Sequence, residues 1–314
     1  MRIAVIGPGA VGGYFGGRLA QAGEDVYFLA HGKTLAAMRE RGLRVDSTKG
    51  DFTLPKVNVA ENASDVGPVD LVLVCTKAWQ VPELASTVRP LLGPETIVLP
   101  MENGVEATEQ LAQFAGDKSV LVGICGLMSK VVEPGYIKHF GLDPFITFGE
   151  RDNSHTPRTE SLKTLLTKAG IKASNPPDVH VRLWMKMYFI TAVSGVGSVS
   201  RAAVGVLRET PPTREILRRS IVEMDQLARA TGVKMPETAV NDTMKVIDEM
   251  PPAGTTSMQR DLLEGRPSEL DSLVGAVVRI GQKYGVATPV NETIYAALLP
   301  AELRARGKMK FDRM

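Results

Sequence analysis

The sequence has few cysteines and histidines. Only Cys75 and Cys125 occur among 314 residues, and each stands in an apolar run that is typical of a buried strand. A disulfide framework is therefore not expected, and we predict a reducing, cytoplasmic location. The four histidines, at positions 31, 139, 155 and 180, have no ligand spacing of the HxxxH kind. We predict no metal site from this pattern.

Long apolar runs and an excess of charge of one sign are also missing. Lys and Arg total 37 against 35 Asp and Glu, a net charge of +2, which gives no basic field for nucleic acid or an anionic membrane. No run approaches the roughly 20 apolar residues that span a bilayer. The sequence therefore predicts a soluble protein that binds neither nucleic acid nor membrane.

The chain is longer than one domain of ordinary size, roughly 100 to 200 residues. Its first half contains apolar, β-branched runs separated by segments long enough for helices, which predicts a parallel βαβ series covered on both faces. These runs are Arg2–Ile6, Asp25–Leu29, Val69–Cys75, Thr96–Leu99 and Val120–Ile124. Shorter, mixed runs predict a sheet edge or an antiparallel extension; they are Leu43–Asp46, Val57–Val59, Tyr136–His139 and Phe145–Phe148.

A polar stretch with two prolines, at 174–178, separates this half from a portion with helical periodicity and almost no strand-like run. We predict a domain at 1–175 and a second at 176–314. The expected helices of the second are Val179–Ala192, Thr213–Thr231, Pro236–Glu249, Ser268–Tyr284 and Val290–Ala305. The predicted fold class is α/β, an N-terminal Rossmann-type doubly wound sheet with a C-terminal all-α domain.

A GxGxxG motif stands directly after the first strand and before a helical pattern at 11–22. Its residues are Gly7, Pro8, Gly9, Ala10, Val11 and Gly12. The first glycine permits a tight turn, the second lets a pyrophosphate approach the backbone, and the third lets helix and strand pack closely. The N–H groups at the start of the helix then bind the diphosphate. A purely structural glycine turn is the alternative.

The acid that binds the ribose 2′-hydroxyl in NAD-specific domains is missing from the end of the second strand. That strand is followed instead by His31 and Lys33, which could contact a 2′-phosphate. The pattern therefore favours NADPH. In the alternative interpretation, both are merely exposed loop residues.

Five sequence blocks occur together in a specific order: GPGAVGGYFGGRLA at 7–20, CTKAWQ at 75–80, ENG at 102–104, LWMK at 183–186 and SMQRDLLEGRPSELD at 257–271. With these blocks the chain resembles the 2-dehydropantoate 2-reductases, also called ketopantoate reductases, over nearly its whole length. The resemblance implies a Rossmann domain joined to a helical domain, with NADPH and a 2-oxo acid held between them.

The same resemblance assigns chemical roles. Lys186 matches the catalytic lysine that is proposed to protonate the alkoxide, and Glu269 matches an essential carboxylate that orients the lysine and binds the substrate hydroxyl. Ser257 matches a substrate-binding serine. Asn103 matches an asparagine near substrate and nicotinamide. Lys77 matches a lysine linked to cofactor binding, which Gln80 is expected to assist.

Four positions depart from the family pattern. Ile190 and Ser194 stand where many members carry substrate-contacting asparagines, and we expect both to line a less polar substrate site. Gly254 replaces another asparagine, and His31 replaces a common arginine.

The predicted function is NADPH-dependent reduction of ketopantoate to (R)-pantoate in pantothenate biosynthesis. One alternative is a related reductase of another, less polar 2-oxo acid, and a second is a non-catalytic NADPH-binding regulator. The expected partner is a small-molecule 2-oxo acid, with a homodimer left open.

Overall fold

The computed structural model describes residues 1–311, and its chain divides into two compact units. The first unit holds 1–102 and 107–179, and the second holds 103–106 and the chain from His180 onward. The division therefore falls after Val179, whereas the sequence predicted a boundary after residue 175. The short segment 103–106, which no sequence pattern assigned to the second unit, belongs to it by its contacts. Residues 312–314, the end of the predicted second domain, lie outside the described residues.

The main sheet of the first unit has five parallel strands in the order β5-β2-β1-β6-β7. The strands are β1 (Arg2–Ile6), β2 (Asp25–Leu29), β5 (Asn58–Ala60), β6 (Leu71–Val74) and β7 (Ile97–Pro100). Alternate residues of β1 enter different cores: Ile3 and Val5 join one, and Ala4 and Ile6 join the other. Burial on both faces is the reason these strands are apolar throughout, and the predicted Rossmann-type sheet is confirmed.

Two smaller sheets complete the first unit. One has the order β4-β3-β10-β9, built from β3 (Leu43–Ser47), β4 (Phe52–Leu54), β9 (Ser129–Glu133) and β10 (Tyr136–His139). The other has the order β12-β11-β8, built from β8 (Val122–Gly126), β11 (Phe145–Gly149) and β12 (Lys172–Ser174). The expectation that the run Val120–Ile124 continues the parallel series was wrong for most of its length. Strand β8 pairs antiparallel with β11. The sequence could not predict this direction, because an apolar run indicates burial in parallel and antiparallel strands alike.

The helices of the first unit are α1 (Ala10–Gln21), α2 (Gly32–Arg41), α3 (Ala85–Val88), α4 (Ala107–Ala115) and α5 (Pro157–Lys168). Short 3₁₀ turns occupy Ala63–Asp65, Ala78–Glu83 and Arg89–Leu91. Helix α1 follows β1 after the glycine turn, and α2 follows β2 after His31. The starts of both helices therefore lie at the carboxyl edge of the parallel sheet, where open α/β sheets bind ligands.

The second unit is helical, and no strand follows Ser174 in the described chain. Its helices are α6 (Val179–Ser200), α7 (Val204–Glu209), α8 (Pro211–Ala230), α9 (Ala239–Glu249), α10 (Ser257–Glu264), α11 (Ala276–Tyr284) and α12 (Pro289–Ala305). Helix α6 extends past the predicted end at Ala192, and the sequence patterns did not indicate α7 or α10. The helix expected from Ser268 instead opens with a π-helical turn at Asp271–Gly275.

Helix α6 is apolar on most of its surface because more than half of its residues are buried. Trp184, Tyr188, Ala192 and Val196 are all buried in that core. Although this helix has 22 residues, no helix in the part of the chain that the structure describes is long and apolar enough to cross a membrane.

Candidate active site

The glycine turn between β1 and α1 is held by its backbone. Gly7 has φ +81°, a left-handed conformation that favours glycine, and its carbonyl accepts from the N–H of Gly9 at 2.8 Å. A Cβ built on Gly12 would lie 2.4 Å from the Gly7 oxygen and 2.9 Å from Val5 Cγ1. The first and third glycines of the motif are therefore required by the fold itself.

Gly9 has a different reason to lack a side chain. It is the N-cap of α1 with φ −77°, which any residue adopts, and a Cβ there would meet no atom within 4 Å. As a glycine it offers no side-chain acceptor to the first N–H groups of α1, which have no partner inside the helix. The open space and these N–H groups, including those of Ala10 and Val11, fit the diphosphate of a dinucleotide.

His31 and Lys33 stand at the start of α2, both exposed. His31 is the N-cap of that helix, and its Nδ1 lies 3.9 Å from a carboxylate oxygen of Glu61. The two side chains are 73% and 53% exposed. Glu61 follows β5, whose Ala60 pairs with Leu29 at the end of β2. A carboxylate therefore lies beside the predicted 2′-phosphate site, although no acid follows β2 itself.

The loop after β6 contains Lys77 and Gln80. The Lys77 N–H donates to Gln80 Oε1 at 3.1 Å, and the Gln80 N–H donates to the Lys77 carbonyl at 2.8 Å. Gln80 therefore closes the turn that presents Lys77. In the preceding residues, Thr76 Oγ1 donates to the buried carboxylate of Glu102 at 3.2 Å.

Cys75, at the end of the same strand, is not suited to nucleophilic chemistry. Desolvation raises the pKa of its thiol well above the ordinary value, and the Glu102 carboxylate and Cys125 raise it further. A nucleophilic cysteine needs the opposite shift. Neither cysteine forms a disulfide. No group of three or more His, Cys, Asp or Glu side chains that could hold a metal ion occurs within residues 1–311.

In the second unit, Lys186, Ile190 and Ser194 follow one another at intervals of four residues on α6, so they lie along one side of the helix. Lys186 and Ile190 are partly buried, and Ile190 packs against the helical core. Ser194 is 0% exposed, and its hydroxyl donates to Thr256 Oγ1 at 2.9 Å. The Ser194 hydroxyl therefore holds the start of α10.

Ser257, the predicted substrate-binding serine, is the first residue of α10 and is partly buried. Thr256 is the N-cap and accepts from the Gln259 N–H at 3.2 Å. Gly254 lies in the preceding turn, where a Cβ would come 2.9 Å from the Pro251 carbonyl oxygen. The larger side chain that the family often has at this position would therefore require this turn to shift.

Asn103 and Glu269 are brought together although they are 166 residues apart. Asn103 Nδ2 donates to Glu269 Oε2 at 3.0 Å, and Glu269 is only 4% exposed. The backbone before Glu269 is anchored as well, because the Ser268 N–H and hydroxyl donate to the buried Glu302 carboxylate at 3.1 and 2.6 Å. A π-helical turn follows, a rare element that is frequent at functional sites.

Sequence reasoning missed several residues that shape these sites. Thr256 and Gln259 form the spacing of a capping box, a signal that could have revealed α10. Glu61 and Glu302 carry no local signal, because their positions depend on strand order and on helix packing.

A parallel sheet with a glycine turn that fits a dinucleotide, in a chain that continues into a helical unit, is the architecture of a nicotinamide-dependent oxidoreductase. Comparisons identify its family. Residues 3–153 match the family model described as ketopantoate reductase PanE/ApbA, and residues 178–302 match the model of its C-terminal part. The chain belongs to the ketopantoate reductase PanE/ApbA family.

Relatives match along the whole chain. A 2-dehydropantoate 2-reductase of Nostoc sp. is 30% identical over 99% of this chain and 98% of its own. The crystal structure of 2-dehydropantoate 2-reductase from Geobacter metallireducens has a TM-score of 0.89 at 31% identity, covering 96% of this chain and 100% of that one. D-Mandelate dehydrogenase has a TM-score of 0.88 at 22% identity, covering 98% and 99%, which is a likeness of fold alone.

Proposed function

We propose that this protein reduces ketopantoate to (R)-pantoate with NADPH, the reaction that supplies pantothenate biosynthesis. Membership of the family and the match to named 2-dehydropantoate 2-reductases over almost the whole chain support this proposal.

The observation that carries the proposal is the hydrogen bond from Asn103 Nδ2 to the buried Glu269 carboxylate, at 3.0 Å. The family resemblance assigns both residues to the substrate independently of each other, and the second unit holds them within one hydrogen bond. Carboxylate oxygens accept hydrogen bonds, so a buried carboxylate at this position suits a substrate hydroxyl, which donates one.

The chain's own residues have separate tasks in this reaction. A bound nicotinamide supplies the hydride that reaches the carbonyl carbon. Lys186 donates a proton to the carbonyl oxygen, where negative charge develops. Glu269 accepts a hydrogen bond from the substrate hydroxyl, and Asn103 fixes the orientation of that carboxylate by donating to it. Ser257, at the start of α10, binds the substrate carboxylate, because a helix N-terminus favours an anion.

NADPH is proposed because His31 is the N-cap of α2, Lys33 lies in its first turn, and no acid follows β2. Glu61, 3.9 Å from His31, opposes a 2′-phosphate and makes the expected preference modest. Lys33→Ala should weaken NADPH more than NADH. Equal kcat/KM values for the two cofactors in the unmodified protein would contradict this part of the proposal.

A second candidate function, reduction of a less polar 2-oxo acid, is favoured by the residues at three positions where many members of the family carry asparagines. Ile190 is apolar, the Ser194 hydroxyl is engaged by Thr256, and Gly254 has no side chain. A site that lacks hydrogen-bond partners discriminates weakly between polar and apolar substrates.

The deciding experiment is a panel of 2-oxo acids, each with NADPH and with NADH, followed by the loss of nicotinamide absorbance. The proposal expects ketopantoate with NADPH to have the largest kcat/KM. A higher value for a bulkier, more apolar 2-oxo acid would establish the second candidate. Binding of NADPH without turnover of any acid would favour a regulator.

A further inference from the structure

Each of the four residues in segment 103–106 contacts the rest of the second unit. Asn103 donates to Glu269 at 3.0 Å, and Val105 packs against the helical core. Gly104 has φ +104°, and a Cβ built there would lie 2.8 Å from the Ser272 carbonyl oxygen. The backbone of this segment therefore lies directly against the π-helical turn that follows Glu269, at a distance that only glycine permits.

Arg279, on α11, binds the fourth residue of the segment. Its Nη2 donates to Glu106 Oε2 at 2.8 Å. The same guanidinium donates to Asp271 Oδ1 at 2.9 Å and to the Asp271 carbonyl at 3.0 Å. The Arg279 guanidinium therefore joins segment 103–106, which contains Asn103, to the π-helical turn, which begins two residues after Glu269. The planar fork of N–H groups in arginine is suited to binding two acceptors at once.

Asp271 is itself fixed from the other side. The Tyr295 hydroxyl donates to Asp271 Oδ1 at 2.9 Å. Burial, together with this bond and the Asp271 charge, raises the pKa of Tyr295 to about 12, so that the phenol remains a donor over the working pH range. Gly275 makes room for the arrangement, because a Cβ there would lie 2.9 Å from the Tyr295 ring and 3.2 Å from Arg279 Nη1.

We propose that Arg279 is a positioning residue for the reaction, which holds the Asn103 amide against the Glu269 carboxylate through Glu106 and Asp271. This inference rests on the proposed function for its catalytic consequence. Arg279 and Glu106 are 44% and 28% exposed, so their ion pair contributes little to stability. Misplacement of a substrate-orienting group by about 1 Å, in contrast, costs up to about 10²-fold in rate.

A double-mutant cycle tests this role. Arg279→Met should lower kcat/KM for the best 2-oxo acid by about tenfold to a hundredfold, chiefly through KM, with Tm and NADPH affinity nearly unchanged. In an Asn103→Ala background the same substitution should change kcat/KM by less than about twofold, because the group that it positions is gone. Arg279→Lys should restore only part of the activity, since an ammonium cannot bridge two acceptors as a fork.

The matched control is Arg214→Met. Arg214 is 40% exposed in the same unit and binds both oxygens of Asp248 at 2.5 and 2.8 Å. It should leave kcat/KM unchanged. Equal losses in both arginine variants, or additive effects of Arg279→Met and Asn103→Ala, would overturn the inference. Should Arg279→Met fold poorly, Glu106→Gln removes the same ion pair with a neutral side chain of the same shape.

An NMR readout separates this inference from the proposed function. The side-chain amide signal of Asn103 is identified by its loss in Asn103→Ala. It should shift in Arg279→Met and remain in place in Arg214→Met, even if the protein reduces none of the acids tested. An unshifted Asn103 signal in Arg279→Met would reject the positioning role, whatever the activity.

Discussion

The glycine turn of the first unit and the Asn103–Glu269 pair of the second are formed in opposite ways. The glycine turn uses consecutive residues, and its shape follows from backbone contacts such as the 2.4 Å that would separate a Gly12 Cβ from the Gly7 oxygen. The Asn103–Glu269 pair joins side chains 166 residues apart. The first kind of site is sensitive to a single added methyl group. The second depends on the packing and the ion pairs of a whole helical unit.

The largest effect is expected from Gly12→Ala. The added Cβ would overlap backbone, which cannot yield as the end of a flexible side chain does, and we expect a loss of about 3 kcal/mol or more in the free energy of unfolding. Thermal unfolding should show a Tm lower by about 10 °C. Gly9→Ala is the control in the same turn: Gly9 has φ −77°, its Cβ would meet no atom within 4 Å, and the Tm should stay nearly unchanged. Equal Tm values for Gly12→Ala and the unmodified protein would show that the turn can relax.

Lys186→Ala tests the chemistry of the helical unit. Loss of a positioned general acid should lower kcat by about 10² or more, with NADPH affinity within about twofold of normal. Steady-state kinetics and a cofactor titration measure the two quantities. Lys245→Ala is the control, since Lys245 is an exposed lysine of the same unit, 3.5 Å from Asp242. A near-normal kcat for Lys186→Ala on the best substrate would remove this residue from the mechanism.

Ile190→Asn asks whether the side of α6 next to Lys186 sets substrate choice. A polar partner at this position should raise the ratio of kcat/KM values, ketopantoate over an apolar 2-oxo acid, by about tenfold. The control, Val199→Asn, places the same residue at a position of the same helix that is 48% exposed. An unchanged ranking of substrates would mean that Ile190 does not face the substrate.

The smallest effect is expected at Glu61. Because its carboxylate lies 3.9 Å from His31 in an exposed setting, Glu61→Gln should increase the preference for NADPH over NADH by only about threefold. The gain should shrink at high salt, which screens exposed charges. Glu40→Gln, an exposed glutamate on α2, serves as the control. No change in the preference at low salt would place the 2′-phosphate away from this pair.

The contrast between local contacts and contacts across the chain also explains how much of each site the sequence predicts. Strands β1 and β2 and the glycine turn were predicted because their signals are local: apolar runs and a motif of six residues. The direction of β8 was not, because burial leaves the same pattern in parallel and antiparallel strands. Glu61 was missed because its place beside His31 depends on β5 pairing with β2. The roles of Asn103, Lys186 and Glu269 came from the family resemblance and stay predictions. The bonds from Arg279 to Glu106 and Asp271 appear only in the folded chain.

The central claim is that the glycine turn binds the cofactor and that Glu269 binds the substrate. Its most direct test is the dissociation constant of NADPH, measured in parallel for Gly9→Ala and Glu269→Gln. Gly9 has an ordinary φ and open space at its Cβ, so alanine should fold normally while its methyl group occupies the approach of the pyrophosphate. We predict that Gly9→Ala weakens NADPH by about tenfold or more at nearly unchanged Tm, and that Glu269→Gln binds NADPH normally but raises the KM of the 2-oxo acid by about tenfold. Normal NADPH binding by Gly9→Ala, or an equal loss of NADPH affinity in Glu269→Gln, would contradict the account.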